Sequence, residues 1–561
     1  MVAALVKELL GRAPLTPAAS RNLSRALVAL ALLFLVFLLA NLFSFGYGRD
    51  QGIYGVVGEA ILHGKAPYRD AWDFKPPAIF FVFALSRALL GGAPHAIRML
   101  EAACWATVPL CFARILSVRG GDARIGIAAG VLATYVEVRT EYWHTAQPES
   151  FAAVCLVWAL TLVTRPPRWA PSRGDAWAWA GAGALFSIAG LLKPPLGGGL
   201  LLLLPVWFRE HRAEIPRGRR ASRFGLYAAS TLGGAALPVA ATLAYFASKG
   251  ALPDLVETLF GFAPHYTKLG TSPGQLPQNF LRATGELFAY FSPLLVAALL
   301  VPTPLVPRSL RLQVGLGSVV ATAFFPWVGV ALQGKFFPYH YEGSLPFVCL
   351  LATVTYAALL SRLARAGVPR LATGGACAMV VLGFLFLGPY INPESHFWPR
   401  VLPRIHALLY PSTRVTIQDS LMNEGDTRAA ENRRLSDWLR AATPADASVF
   451  VWGFEPVVYL SSERRPASRF VYDVPQRVPW SREAMCAKLE RDLAMDPPAA
   501  VAVEHDDRFA DVTGDRVDSS ESLSKCEWLP QWLAGGFTKE WSSPKFDAYL
   551  RRDLAARSAE P

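Results

Sequence analysis

Charge is what this 561-residue sequence has least of: 17% of residues are Asp, Glu, Lys or Arg, against about 25% in a soluble protein. Hydrophobic residues make up 53%, and apolar runs recur through the first 390 residues, so a soluble enzyme, a disordered chain and a small disulfide-stapled domain are all excluded. The seven cysteines include no CxxC pair and no Cys/His spacing suited to zinc. No GxxxxGK[ST] occurs, and no GxGxxG leads from a strand into a helix, so no nucleotide-phosphate cradle is present. No small-residue cleavage site follows the first apolar run, which therefore reads as a retained anchor.

What remains is an α-helical polytopic membrane protein with a soluble tail. A helix needs roughly 20 apolar residues to cross the hydrocarbon core. The clearest runs are 25–45, 224–247, 287–306, 312–332, 343–361 and 371–390; weaker ones are 97–116, 124–140, 150–164, 176–192 and 195–208. The run 78–91 is only 14 residues long and contains Arg87, which fits an interfacial helix better than a span.

The net charge of +12 divides unevenly: residues 1–390 carry +16 and residues 391–561 carry −4. A nucleic-acid binder would gather positive charge on a soluble face; here it lies between apolar runs, where it sets orientation. With eleven spans, one side carries 21 Lys/Arg and 5 Asp/Glu, the other 12 of each. Counting 78–91 as a span inverts that sorting for every later loop. The eleven-span arrangement puts the N-terminus in the cytoplasm. Loops 46–96, 140–149, 248–286 and 333–342, and the tail 391–561, then face outward. Chemistry on that face needs a donor already carried across the membrane.

The tail alternates helix and strand: helices over 426–441 and 482–494, strands over Val449–Trp452 and Ala499–Val503, enough for one α/β domain. Cys486 and Cys526 are its two cysteines, and their pairing is a geometric option in an oxidising compartment. Cys104, Cys111, Cys155, Cys349 and Cys377 lie in apolar runs and read as small core- or lipid-facing residues.

Chemistry-bearing residues gather in the outward loops. Asp50 stands just beyond the first span, followed by a short helix over Gln51–Leu62, then Trp72, Asp73 and Lys75-Pro76-Pro77. The second loop, EYWHTAQPESF, places Glu141 and Glu149 at a helix mouth. Glu149 follows a proline where a helix begins, so helix capping is its bland reading. Trp72, Tyr142 and Trp143 could stack on sugar faces, although such residues more often form the interfacial aromatic belt. His144, His265 and His340 lack metal-ligand spacing and read as ordinary hydrogen-bonding groups.

The order of these motifs resembles one family. Asp50 at the end of the first span, a short helix and Lys75-Pro76 ahead of an interfacial helix are similar to the GT-C glycosyltransferases of the protein-mannosyltransferase and aminoarabinose-transferase type. Gln147-Pro148-Glu149-Ser150-Phe151 resembles the acidic second-loop position of that class, and Leu192-Lys193-Pro194-Pro195 its Lys-Pro after a later span. Lys335-Phe336-Phe337-Pro338-Tyr339-His340-Tyr341, then Leu345-Pro346, resembles its Arg/Lys-x-x-Pro-His-Tyr…Leu-Pro pattern, with His and Tyr transposed. The tail segment VFVWGFEPVVYLSSERRPASRF looks like the outer domain of bacterial members.

The resemblance implies transfer of a glycosyl group from a polyprenyl-phosphate-linked sugar to a lipid, glycan or protein hydroxyl on the outer face of a bacterial inner membrane. Asp50 is then the expected base and Glu149 its catalytic or positioning partner. Lys75, Lys193 and Lys335 would hold the lipid phosphate, with membrane snorkelling as the alternative for each. Tyr339, His340 and Trp72 complete the expected substrate contacts. The resemblance fixes no cofactor: a divalent cation (Mg or Mn) between Asp50 and Glu149 stays open, because some members use one and others do not. Two other classes stay open too. One is a transporter or flippase for a lipid-linked molecule, since broken helices and intramembrane charge also mark transporters. The other is a non-catalytic assembly partner.

Overall fold

Pro and Gly punctuate the apolar runs, and each described run folds as one or more helices. The computed structural model describes residues 17–166, 172–269, 273–366, 375, 379, 397–423 and 427–558. The helices of ten residues or more begin with α1 (Pro17–Leu42), α2 (Arg49–Leu62), α3 (Ala78–Leu90), α4 (Pro94–Ala106), α5 (Val108–Val118), α6 (Ala123–Arg139) and α7 (Pro148–Val163). There follow α8 (Arg173–Leu192), α9 (Gly199–Glu210), α10 (Arg220–Ser248), α11 (Leu276–Leu299), α12 (Leu316–Gln333) and α13 (Leu345–Arg365). The tail adds α14 (Phe397–Leu409), α15 (Ala429–Ala442) and α16 (Arg482–Met495).

Six described segments are long and apolar enough to cross a membrane: Ser20–Leu42, Pro94–Val118, Arg173–Leu192, Arg217–Ser248, Leu316–Gln333 and Leu345–Arg365. Each overlaps an expected span. Four other expected spans are helical but shorter, more polar or broken. The run 195–208 opens as a 3-10 turn before the twelve-residue α9, and α11 bends at Phe291, two residues before Pro293. Apart from positions 375 and 379, the run 371–390, Cys377 included, lies outside the described residues. α3 has 13 residues, about 20 Å of helix, too short for the hydrocarbon core. The stretch 248–286, expected as a loop, is largely helical, with turns over Leu252–Val256, Glu257–Phe262 and Ala263–Lys268 ahead of α11.

Small residues bring α8 and α10 together. A Cβ on Gly183 would lie 2.0 Å from the Thr231 carbonyl oxygen, and one on Gly234 would lie 1.9 Å from that of Ala180. Such contact lets the two backbones approach where lipid offers no hydrophobic drive. It aims α8, whose end carries Lys193. α2 presents a glycine stripe of the same kind. A Cβ on Gly52 would meet Val457 Cγ2 at 2.7 Å, one on Gly55 would meet Leu460 Cδ1 at 2.7 Å, and one on Gly58 would meet Ala84 N at 2.9 Å.

The tail folds around a five-stranded sheet of order β2-β1-β3-β5-β4. Its strands are β1 (Ser448–Trp452), β2 (Arg465–Pro466), β3 (Ala500–Glu504), β4 (Phe537–Ser542) and β5 (Phe546–Arg551). β2, β1 and β3 are parallel, and β5 returns antiparallel to β3. β1 and β3 are buried along their whole length, as parallel strands covered on both faces are. The expected strands and the helices near 426–441 and 482–494 are all present; β2 and the β4–β5 hairpin were not anticipated. Cys486 on α16 is disulfide-bonded to Cys526, with Cα atoms 5.5 Å apart.

Candidate active site

Local sequence aims the first loop. Gly48 precedes α2, and its N–H donates to Gln51 Oε1 at 3.0 Å. Gln51 Nε2 in turn donates to the carbonyls of Tyr142, Trp143 and Thr145 at 3.2, 3.1 and 2.7 Å. One side chain thus caps α2 and ties it to the second loop. Asp50 falls in the first turn, where the helix dipole favours an anion. In the second loop Pro148 opens α7 and Glu149 occupies its first turn, the same combination.

Arg98, fully buried, supports both loops. It donates to Gly46 O (2.8 Å), Tyr142 O (3.0 Å), Thr145 Oγ1 (2.8 Å) and Glu101 Oε2 (3.0 Å). Glu101 Oε1 accepts from Ala146 N at 2.6 Å. Glu141, Ala146 and Phe336 adopt positive φ of 70°, 55° and 52°. This is costly for non-glycine residues and is held where surroundings over-determine it.

These supports bring together Asp50, Lys75 and the start of α7. Lys75 Nζ lies 3.4 Å from Asp50 Oδ2 and donates to the Tyr54 hydroxyl at 2.9 Å. Tyr54 donates to Gln147 Oε1 at 3.1 Å, and Gln147 Nε2 donates to Asp50 Oδ2 at 3.3 Å, closing a ring of four side chains. Asp50 and Lys75 keep 24% and 19% of their side-chain surface exposed, so the pair is reachable. Burial alone would lower the Lys75 ammonium pKa, but Asp50, Asp73 and Glu149 outweigh it and hold it above the usual lysine value. Lys75 is charged at neutral pH.

Glu149 is buried and ion-paired with Lys193, whose ammonium lies 5.7 Å from the Tyr339 ring centre. Tyr339 packs against His144 (5.8 Å between ring centres) and His340 (4.6 Å). Burial pushes the His144 imidazole down to about 4 and His340 well below its ordinary value, so both rings are neutral. Lys335 lies 3.5 Å over the Tyr266 ring, and that ring packs on Phe74 beside Lys75 at 4.1 Å. Asp50, Glu149, Lys75, Lys193, Lys335, Tyr339 and His340 therefore share one neighbourhood.

Trp72 has a different place. Its side chain is 3% exposed, packed among Phe74, Phe262, Phe470 and Tyr472, and the Trp72 backbone N–H donates to Arg469 O at 2.8 Å. Its ring faces are taken by protein, which leaves none for a sugar. Tyr54, Gln147 and Asp73 were missed as site residues, although each carries a positional signal. Tyr54 follows Asp50 by one helical turn, Gln147 precedes Glu149 by two residues, and Asp73 precedes Lys75 by two.

Each carboxylate of the pair already faces an ammonium group, Asp50 that of Lys75 and Glu149 that of Lys193. Mg or Mn binds through one or two carboxylates with water or substrate phosphate, so a cation between Asp50 and Glu149 would have to displace both ammonium groups. Among the described residues no group of three or more His, Cys, Asp and Glu is placed to hold a metal ion. A cavity of about 1660 Å³ lies on another flank of α2, between the first loop and the tail, and is lined by Glu59, His63, Arg69, Arg433 and Arg465 among others. Neither Asp50 nor Glu149 is among its lining residues.

No protein-family profile and no curated protein matches the chain. Solved structures do. The crystal structure of ArnT from Cupriavidus metallidurans in the apo state superposes with a TM-score of 0.57 at 16% identity, over 96% of this chain and 100% of that one. The same protein bound to undecaprenyl phosphate gives a TM-score of 0.55 at 14% identity, over 94% and 99%. The likeness runs the length of both chains and shows a shared fold.

Proposed function

We propose that this protein transfers a glycosyl group from a polyprenyl-phosphate-linked sugar to an acceptor hydroxyl at the outer face of a bacterial inner membrane. The observation that carries this reading is the reachable Asp50 carboxylate, held by Lys75 at 3.4 Å and Gln147 at 3.3 Å beside the Glu149–Lys193 pair. The ArnT structure that shares the fold has undecaprenyl phosphate bound, and a lipid phosphate is the leaving group this chemistry needs. The disulfide within the tail agrees with an extracytoplasmic domain, because such bonds persist in oxidising compartments.

The donor phosphate carries negative charge to Lys75, Lys193 and Lys335. Charge-assisted bonds to its oxygens stabilise the charge that grows as the anomeric C–O bond breaks and the electron pair leaves with the phosphate. As Lys75 turns to the phosphate, Asp50 is left to accept the proton of the acceptor hydroxyl while that oxygen bonds to the anomeric carbon. Gln147 keeps its hydrogen bond and holds the carboxylate in line. Glu149 keeps Lys193 in register, and neutral His144 and His340 avoid repelling the cationic neighbourhood. Residues 1–390 form the transferase domain in this reading and 391–561 an outer domain that covers it.

Purified protein given a polyprenyl-phosphate sugar should release polyprenyl phosphate and glycosylate an acceptor. Asp50→Asn should lower turnover by about 10²-fold or more while donor binding survives. Lys75→Ala should weaken donor binding as well as turnover. Translocation of intact donor without cleavage would overturn the reading in favour of a transporter.

A further inference from the structure

Arg49, the residue before Asp50, belongs structurally to the tail. Its guanidinium is 2% exposed. It contacts Glu455 Oε1 through Nε and Nη2, both at 3.0 Å, and Glu504 Oε1 at 3.2 Å. The ring centres of Phe509, Phe454 and Trp143 lie 4.3, 5.4 and 5.9 Å from its carbon, so a planar cation is received by two carboxylates and three rings, both carboxylates and the two nearer rings coming from the tail. Both acids are fixed beforehand. Glu455 Oε2 accepts from Asn432 at 2.7 Å, and Glu504 accepts from Phe454 N at 2.6 Å and pairs with Lys545 at 3.1 Å.

The location of this receptor is informative. β1 is flanked by β2 on one side and β3 on the other, so the chain leaves β1 in one direction and returns on the opposite side. A crevice at the carboxyl ends of β1 and β3 is where an α/β sheet with such a switch binds its ligand. Glu504 ends β3, and Glu455 follows β1 by three residues. Gly453 keeps the crevice open, since a Cβ there would lie 2.5 Å from Glu504 Cβ. The crevice is filled by a side chain of the first outward loop.

A second tie holds the other end of the same loop. Tyr472 donates to Asp73 Oδ1 at 2.7 Å, and Trp72 pairs with Phe470 through its backbone. Between these ties, Gly52 and Gly55 let Val457 and Leu460 of the tail press directly on α2.

We propose that the tail is a clamp that uses its ligand crevice to bind Arg49, and so fixes Asp50 and Lys75 relative to each other. This rests on the glycosyl-transfer reading for its catalytic consequence and on the contacts alone for the clamp itself. Arg49 and Tyr472 are positioning residues, acting through Asp50 and through Asp73 to Lys75. Misplacing a reacting group by about 1 Å costs on the order of 10²-fold in rate.

The test uses the full-length protein and a polyprenyl-phosphate sugar. Arg49→Gln should lower kcat at least tenfold with donor KM changed less than threefold, and Arg49→Lys should recover part of the loss. In an Asp50→Asn background, Arg49→Gln should add less than threefold, because both changes remove the same contribution. Losses that multiply in full, or kcat within threefold of the parent, overturn the proposal. If Arg49→Gln does not fold, Tyr472→Phe, which deletes the bond to Asp73, and Glu504→Gln, which removes the charge facing Arg49 and Lys545, are held to the same criteria. Amide exchange across residues 48–56 needs no turnover. Faster exchange in Arg49→Gln or Glu504→Gln upholds the clamp even if the parent proves inactive, which would fell only the catalytic reading. Unchanged exchange overturns it.

Discussion

Asp73 shows what burial does to a single carboxyl in the first loop. Removal from water pushes its pKa up to about 6, with Asp50 adding to the rise and Lys75 and the Tyr472 hydroxyl opposing it. A carboxyl raised in the folded state binds its proton more readily folded than unfolded. Its ionisation therefore costs about 3 kcal/mol above pH 6, and that cost disappears as pH falls from about 6 to about 4. Thermal unfolding in detergent should show the parent gaining stability relative to Asp73→Asn over that window. Equal pH dependence in the two proteins would refute the assignment. The Glu149–Lys193 pair makes the opposite case. Glu149 is buried, so Lys193→Met strands a charge in a poorly solvated site. It should destabilise by about 3–5 kcal/mol, whereas the double change Glu149→Leu/Lys193→Met should recover much of that loss. Denaturation midpoints of the two variants decide this.

At the scale of elements, adjacent glycines in α10 offer an internal control. Gly234 faces the Ala180 carbonyl, where a Cβ would sit at 1.9 Å, while Gly233 has nothing within 4 Å. Gly233→Ala should be neutral or stabilising by about 0.4–1 kcal/mol through helix propensity. Gly234→Ala must push backbone against backbone and should destabilise by roughly 1–3 kcal/mol. Equal unfolding temperatures would show that α8 and α10 do not pack this way. Most helices could be placed from apolar periodicity, because each has its own run of residues. The break of the 195–208 run and the bend in α11 were less legible, since prolines at 194, 195 and 293 announce an interruption without saying how far the chain turns.

For the whole molecule, the tail disulfide closes a separation of 40 residues, and its reduction should lower stability by about 2–4 kcal/mol. Cys486→Ser should do the same in the absence of reductant, which separates bond loss from any other effect of the reducing agent. The basic-residue sorting predicts a cytoplasmic N-terminus and an outward-facing tail. An impermeant thiol reagent outside the cell should label a cysteine placed at Met495, 75% exposed on the tail, and spare one at the exposed Arg217. The reverse pattern would invert the topology and remove the outer-face donor argument.

Composition, apolar run length and the order of short motifs determined the membrane class, the helical fold type and which loops hold the candidate site residues, because these are local properties that each stretch of chain holds alone. The residues nearest Asp50 in sequence, Gln51 and Tyr54, could also be read as sharing its helix. The rest needed the tertiary structure. That Trp72 is buried against the tail, that Gln147 closes a ring on Asp50 from 97 positions away, and that Arg49 reaches Glu455 and Glu504, separated from it by 406 and 455 positions, are facts of long-range packing. No local pattern encodes them, since a buried ion pair is specified by two surfaces that meet only after both have folded.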